Sequence, residues 1–95
     1  MTTVAERVAK GAAFLDEREP GWDERIDLDR LDIDSNCRCI LGQLHDKSYA
    51  TGRRALGLRG HGVGLGFYPS ASDSPHALTA EWERVITARR EAGAS

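Results

Sequence analysis

The chain has 95 residues, of which 40% are apolar and 29% are charged, and it contains two Trp, two Tyr and two Phe. This size suffices for one hydrophobic core and excludes a second domain. The net charge of -2 excludes strong overall attraction to nucleic acid or anionic lipid, so any such binding has to be local.

Neither a membrane span nor a signal peptide is expected. No apolar run approaches the roughly 20 residues that span a bilayer. The N-terminus MTTVAERVAK is amphipathic, unlike the apolar centre of a signal peptide. We therefore expect a protein of the bacterial host cytoplasm that makes no membrane contact.

The N-terminal segment carries a clear helix signal. Thr3 and Glu6 have the spacing of a capping box, and apolar residues recur on one helical face as far as Leu15. This helix is expected to end before the turn at Pro20-Gly21.

The segment 22–34 mixes aspartates with apolar residues and fits neither a helical nor a strand period. We expect a short helical turn that leads into an extended piece. Asp34 or Ser35 can then cap a second helix over 36–46. Apolar residues at i, i+3, i+4 and i+7 define its buried face.

Ser48 can cap a third helix, over 49–57, with Gly57 as its C-terminal stop. The following segment, 58–74, is rich in glycine, and we expect it to pack as an irregular arm. The last helix begins at Ser74-Pro75 or at Thr79.

Together these elements predict an all-α, mainly α fold with one domain over 1–95, whose last few residues are expected to be disordered. The expected architecture is a compact bundle of about four short helices, with a glycine-rich loop near the C-terminal third. The expected core residues are Val8, Leu15, Trp22, Ile26, Leu28, Leu31, Ile40, Leu41, Leu44, Leu56, Trp82, Val85 and Ile86.

Charge is unevenly distributed along the chain. Residues 1–36 carry five basic and ten acidic side chains, whereas residues 37–68 carry five basic and one acidic. Two interpretations are open: attraction between the acidic first third and the basic middle, or a partner-binding patch in the middle.

Cys37 and Cys39, with His45 and His61, are enough ligands for tetrahedral zinc. Structural zinc sites usually pair cysteines with two to four residues between them and repeat the pair, whereas here the second pair is two scattered histidines. We interpret the cysteines as reduced thiols and predict no metal and no cofactor. A zinc-binding structural domain is the least favoured alternative.

No pattern places a base or an oxyanion site beside either cysteine, as covalent catalysis requires. So small a chain, with few aromatic residues, has little material for a concave substrate pocket. We therefore predict no catalytic residue and no enzyme activity.

A helix-turn-helix is the main alternative among binding functions. The predicted helix pair over 36–57 has suitable lengths and lies in the basic third of the chain. Arg53 and Arg54 would then contact phosphates. Gly52 in the middle of the presumed recognition helix and the pI of about 5.9 speak against this alternative.

The segments VAKGAAFLDEREPGW, IDLDRLDI, CRCILGQL, RRALGL and LTAEWERVITARR together resemble a group of small uncharacterised proteins from actinobacteria and their phages. The resemblance covers nearly the full length. It implies a phage accessory role, because small phage proteins of this kind often bind and alter a host protein. It implies no catalytic residue.

The function predicted from the sequence is a non-catalytic protein-binding module, phage-encoded or phage-derived, that binds a bacterial host protein. Arginines beside exposed aromatic residues are a common interface composition. The sequence leaves open the partner's identity and self-association. The expected partner-binding residues are Arg53, Arg54, Arg59, Phe67 and Tyr68.

Overall fold

The computed structural model describes residues 3–45, 47–58, 62–71 and 73–94. Over these ranges the chain is all-α, as predicted, and contains no strand. None of the helices in the same ranges is long and apolar enough to cross a membrane. The α-helices are α1 (Val4–Arg18), α2 (Trp22–Arg25), α3 (Ile40–Leu44), α4 (Tyr49–Ala55) and α5 (Pro75–Ala94), and a 3-10 helix covers Val63–Leu65.

Helix α1 begins where the capping signal places it. The Thr3 side chain accepts a hydrogen bond from the Glu6 backbone N–H at 3.1 Å, which satisfies one of the free donors of the first turn. Val8, Ala12 and Leu15 are buried on one face. The helix ends at Arg18, ahead of the predicted turn.

Three large aromatic residues form the centre of the core. Trp22 packs edge-on against Trp82, and Phe67 stacks on Trp82, each with ring centroids 5.7 Å apart. The Trp82 indole N–H donates to the Gly66 carbonyl at 2.7 Å. This cluster joins α2, α5 and the glycine-rich segment. The predicted core residues are buried, except that Leu28 and Val85 are partly exposed and pack against the core.

The second helix is shorter than predicted. Helix α3 comprises Ile40–Leu44 rather than 36–46, and Cys39 caps it, because its Sγ accepts from the Gly42 N–H at 3.2 Å. The proposed cap Ser35 does accept from the Arg38 N–H at 3.3 Å, which is the bond of an N-cap, but the turn that it caps does not continue into α3. Residues 34–39 form turns and bends ahead of that helix.

Helix α4 agrees with the sequence prediction at both ends. The Ser48 hydroxyl accepts from the Thr51 N–H at 3.2 Å, and Gly57 adopts the left-handed conformation with φ of 69°. Gly52 lies where α4 crosses α3. A Cβ there would lie 2.8 Å from the Leu41 carbonyl oxygen, so the glycine permits close helix packing.

The glycine-rich segment is more regular than the predicted arm. The 3-10 helix Val63–Leu65 lies between Gly62 and Gly66, both with φ of 73°. It packs on α1 at Gly11, where a Cβ would lie only 2.0 Å from the Leu65 carbonyl oxygen. The part of the segment that the structure describes, 62–71, therefore packs on the core through a regular turn of 3-10 helix.

Helix α5 begins at Pro75, the earlier of the two predicted starts. The Ser74 hydroxyl accepts from the Ala77 N–H at 3.3 Å. Leu78, Trp82 and Ile86 form its fully buried face. The helix continues through Ala94, into the segment for which the sequence predicts disorder.

The acidic first third contacts the last helix. Arg89 of α5 pairs with both Asp16 and Asp23, its Nε lying 3.0 Å from Asp23 Oδ2. The neighbouring Arg90 donates to the backbone carbonyl of Asp23 at 2.7 Å. These two aspartates therefore pair with the last helix and not with the basic middle of the chain, whereas Glu19 lies 2.7 Å from His45 of the middle.

Candidate functional site

A cavity of about 180 Å³ lies where the 34–39 turns meet the start of α4 and the end of the glycine-rich segment. Its lining combines two tyrosines and a proline with polar turn residues and two buried core residues. The lining residues are Ile33, Asp34, Ser35, Asn36, Cys39, Tyr49, Tyr68 and Pro69.

The two tyrosines of this cavity pack together beside an arginine. The ring centroids of Tyr49 and Tyr68 are 5.8 Å apart with the planes tilted by 43°. The Arg53 guanidinium carbon lies 6.0 Å from the centroid of the Tyr49 ring. We call Tyr49, Arg53, Arg54 and Tyr68 the tyrosine–arginine surface.

Burial and charge act in opposite directions on Tyr49. Removal of its hydroxyl from water raises the pKa of Tyr49, and the neighbouring Arg53 cation opposes that rise. The phenol therefore stays protonated at neutral pH.

Backbone contacts fix the tyrosine–arginine surface. The Tyr49 N–H donates to the Asn36 side-chain oxygen at 3.0 Å and to its backbone carbonyl at 2.9 Å. These bonds hold the start of α4 against the 34–39 turns. Tyr68 directly follows the buried Phe67, so the core position of Phe67 determines where Tyr68 meets solvent.

The structure brings together part of the predicted partner-binding set. Arg53 and Tyr68 meet through Tyr49, and Arg54 is exposed on the same helix. Phe67 is only 1% exposed, so its expected place on the binding surface is wrong: stacking on Trp82 makes it a core residue. Arg59 lies outside the described residues.

Tyr49 is the member of this surface that sequence reasoning missed. It occupies the first position of α4, directly after the Ser48 cap. An aromatic residue at that position in a basic segment was the available signal. Its pairing with Tyr68 depends on the fold, because 19 positions separate the two tyrosines in the sequence.

The two cysteines differ in environment. Cys37 is exposed, whereas Cys39 is buried and its thiol caps α3. Burial raises the pKa of the Cys39 thiol and keeps it in the neutral form. Among residues 3–45, 47–58, 62–71 and 73–94, no three metal-binding side chains cluster, and the candidate ligand His61 lies outside these ranges.

The helix pair of the DNA-binding alternative is present but short. Helix α3 has five residues and α4 has seven. Arg54 is exposed on α4, as phosphate contact would require. Gly52 faces Leu41 of α3, so its presence mid-helix follows from helix packing and not from approach to DNA.

Comparison with known proteins adds no relative from which a role could be transferred. A scan against models of protein families, a search of curated proteins and a search of solved structures each return no match. The functional argument therefore rests on the geometry of the chain itself.

Proposed function

We propose that this protein is a non-catalytic protein-binding module that binds a bacterial protein through its tyrosine–arginine surface. The observation that carries the proposal is Tyr68, which is 41% exposed and packs on Tyr49 beside a cavity. Tyrosine and arginine dominate the energetics of many protein interfaces.

The surface is ordered before a partner arrives. Tyr49 is held by two hydrogen bonds to Asn36, and its ring contacts both Arg53 and Tyr68. A tyrosine has few rotatable bonds, so its immobilisation on binding costs little entropy. Preorganisation of this kind increases affinity because less order has to be imposed during association.

The geometry indicates what the partner presents. A cavity of about 150 Å³ holds a benzene ring in a protein core. The cavity beside Tyr49 and Tyr68, at about 180 Å³, is thus large enough for one apolar side chain. The exposed Arg54 on α4 favours an acidic residue of the partner, whereas Asp34, which lines the cavity itself, disfavours one next to the anchor. We therefore expect the partner to contribute an apolar side chain to the cavity and a carboxylate to Arg54.

The proposal is tested by capturing the partner from a lysate and then measuring its affinity for this protein. Tagged protein is incubated with actinobacterial lysate, the source that the sequence resemblance suggests, after nuclease treatment and with a high-salt wash. The retained protein is then identified and purified, and its Kd is measured by calorimetry. Tyr68→Ala is expected to weaken binding about 30-fold, equivalent to the roughly 2 kcal/mol of an interface hot spot.

The matched control is Arg84→Ala on α5, where Arg84 is exposed and pairs only with Glu81 among the described residues. It should leave the Kd unchanged. Equal affinities for wild type, Tyr68→Ala and Arg54→Ala would show that the partner binds elsewhere and would refute the proposed surface.

A further inference from the structure

A second cavity, of about 160 Å³, lies on the other side of the 34–39 turns. Its lining residues are Asp27, Arg30, Cys37, Arg38, Gln43 and Lys47. We propose that this cavity binds the phosphate group of a phosphomonoester. The proposal is independent of the tyrosine–arginine surface, since the two cavities share no lining residue.

The charges lining the cavity match a phosphate dianion. Arg30, Arg38 and Lys47 contribute three positive charges, and Asp27 contributes one negative charge. A phosphomonoester carries about -1.5 to -2 at pH 7, which balances this excess, whereas a carboxylate would neutralise only half of it. Arginine also presents a planar fork of donors that fits phosphate oxygens.

These cations have no ionic partner within the described part of the chain. Their side chains form neither a salt bridge nor a hydrogen bond there. Elsewhere, Arg7, Arg25, Arg84 and Arg89 each pair with a carboxylate. Within those described residues, the donors of these three cations are therefore open to a ligand.

Gln43 holds the two segments that carry the arginines. Its Nε2 donates to the Asp27 carbonyl at 3.2 Å and to the Arg38 carbonyl at 2.9 Å. Its Oε1 accepts from the Asp27 N–H at 2.6 Å. The backbone on either side of the cavity is therefore fixed, and the ligand does not have to assemble it.

Lys47 contributes a second indication. It has φ of 58°, and no other non-glycine residue of the described chain has positive φ. That conformation favours glycine or asparagine, so a lysine there carries a local strain. The ammonium group is present at a position where backbone preference alone would select a smaller residue.

The size of the cavity restricts the ligand. Pockets for drug-sized molecules have volumes of about 300 to 1,000 Å³. At about 160 Å³ this cavity accepts a phosphoryl group and a few further atoms, but not a whole nucleotide. Two sources provide the same group: a small phosphorylated metabolite, or a phosphorylated serine on another protein.

The exposed Cys37 provides a direct probe of occupancy. It lines the cavity, while the buried Cys39 is protected from reagents. The alkylation rate of Cys37 by iodoacetamide is measured against inorganic phosphate, with sodium chloride keeping ionic strength constant. We expect the rate to fall at least threefold and to saturate. A rate that phosphate changes no more than chloride does would overturn the proposal.

Variants locate the site. Arg30→Gln and Arg38→Gln should each raise the apparent phosphate Kd at least tenfold. Lys10→Gln removes an exposed lysine of α1 away from the cavity and should leave the Kd unchanged. If all three variants behave like wild type, the phosphate binds elsewhere and the proposal fails. Circular dichroism checks that each variant is folded. The titration of the wild-type protein tests the proposal even if a variant does not fold.

A final comparison defines the ligand. Acetate should protect Cys37 at least tenfold less well than phosphate, and equal protection would overturn the phosphate assignment. Glycerol phosphate and a blocked phosphoserine peptide are then titrated in the same assay. Tighter binding of the peptide assigns the site to a phosphoprotein, and tighter or equal binding of glycerol phosphate assigns it to a metabolite.

Discussion

At the scale of single residues, the buried pair Arg7–Asp73 connects α1 to the segment that precedes α5. Two parallel hydrogen bonds of 2.6 and 2.7 Å join the side chains, and both side chains are only 7% exposed. Asp73 also accepts from the Ser70 N–H at 2.8 Å. The Arg7 guanidinium, more than any other group, holds the pKa of Asp73 well below its usual range.

We expect Asp73→Asn to lower the free energy of unfolding by about 3 to 5 kcal/mol, because it leaves the Arg7 cation buried without its counter-ion. The wild-type pair should also show a pH dependence. Since the folded pKa lies below the unfolded value of about 3.9, its stabilisation is complete above that value and declines as pH falls further. Urea unfolding between pH 2.5 and pH 7 measures both effects.

The control is Glu81→Gln, which removes the pair between Glu81 and the exposed Arg84. It should cost at most about 1 kcal/mol, as surface pairs do. If Asp73→Asn lowered the free energy of unfolding by as little as the control does, the structural role of the buried pair would be contradicted. The pair itself was beyond sequence reasoning, because 66 positions separate its members and no periodic signal links them.

At the scale of helices, the crossing of α3 and α4 depends on Gly52. A Cβ at this position would lie 2.8 Å from the Leu41 carbonyl oxygen, a backbone atom that cannot move aside cheaply. Gly52→Ala should therefore destabilise the protein by about 1 to 3 kcal/mol, as overpacking does. This loss exceeds the gain of at most about 1 kcal/mol in helix propensity.

Gly93→Ala is the matched control, since a Cβ on this helical glycine meets no atom within 4 Å. It should be neutral or stabilising by up to about 1 kcal/mol. The Tm of each variant, measured by thermal unfolding, tests this difference in stability. If Gly52→Ala were also neutral, the two helices would not pack as closely as the structure shows.

The starts of the helices show which features of the fold local sequence signals can predict. Caps at Thr3, Ser48 and Ser74 were predictable because each is a serine or threonine ahead of a periodic apolar segment. The start of α3 was not, because Ser35 makes the same capping bond ahead of a single turn and the helix begins only after Cys39. Cysteine is not among the preferred capping residues, so no local signal marks this start.

The candidate surface was predictable only in part for a related reason. Composition indicated the basic middle, and Arg53 and Tyr68 do lie together there. Phe67 and Tyr68 are adjacent in the sequence, but Phe67 is buried in the core and Tyr68 is exposed to solvent. Which aromatic residue enters the core depends on the position of Trp82, and that position is a property of the whole fold.

At the scale of the whole molecule, charge pairing distinguishes a structural region from the region proposed to bind a ligand. Arg89 pairs with Asp16 and Asp23, whereas Arg30, Arg38 and Lys47 line the proposed phosphate cavity. The net charge stays at -2, so the local cations act within a weakly anionic protein. Such an arrangement favours a small anionic ligand or an acidic protein patch over a long polyanion.

This distribution leads to a prediction on duplex DNA. A helix-turn-helix that contacts several phosphates loses affinity steeply with salt, with a slope of about -0.9 per contact in a log-log plot. We expect no measurable binding of a random 25-base-pair duplex at physiological salt, because α4 is short and the net charge repels the backbone. Fluorescence anisotropy of the labelled duplex between 50 and 200 mM salt measures DNA binding. Binding with a slope of about -3 or steeper that is lost in Arg53→Gln and Arg54→Gln would replace the protein-binding proposal with the DNA-binding one.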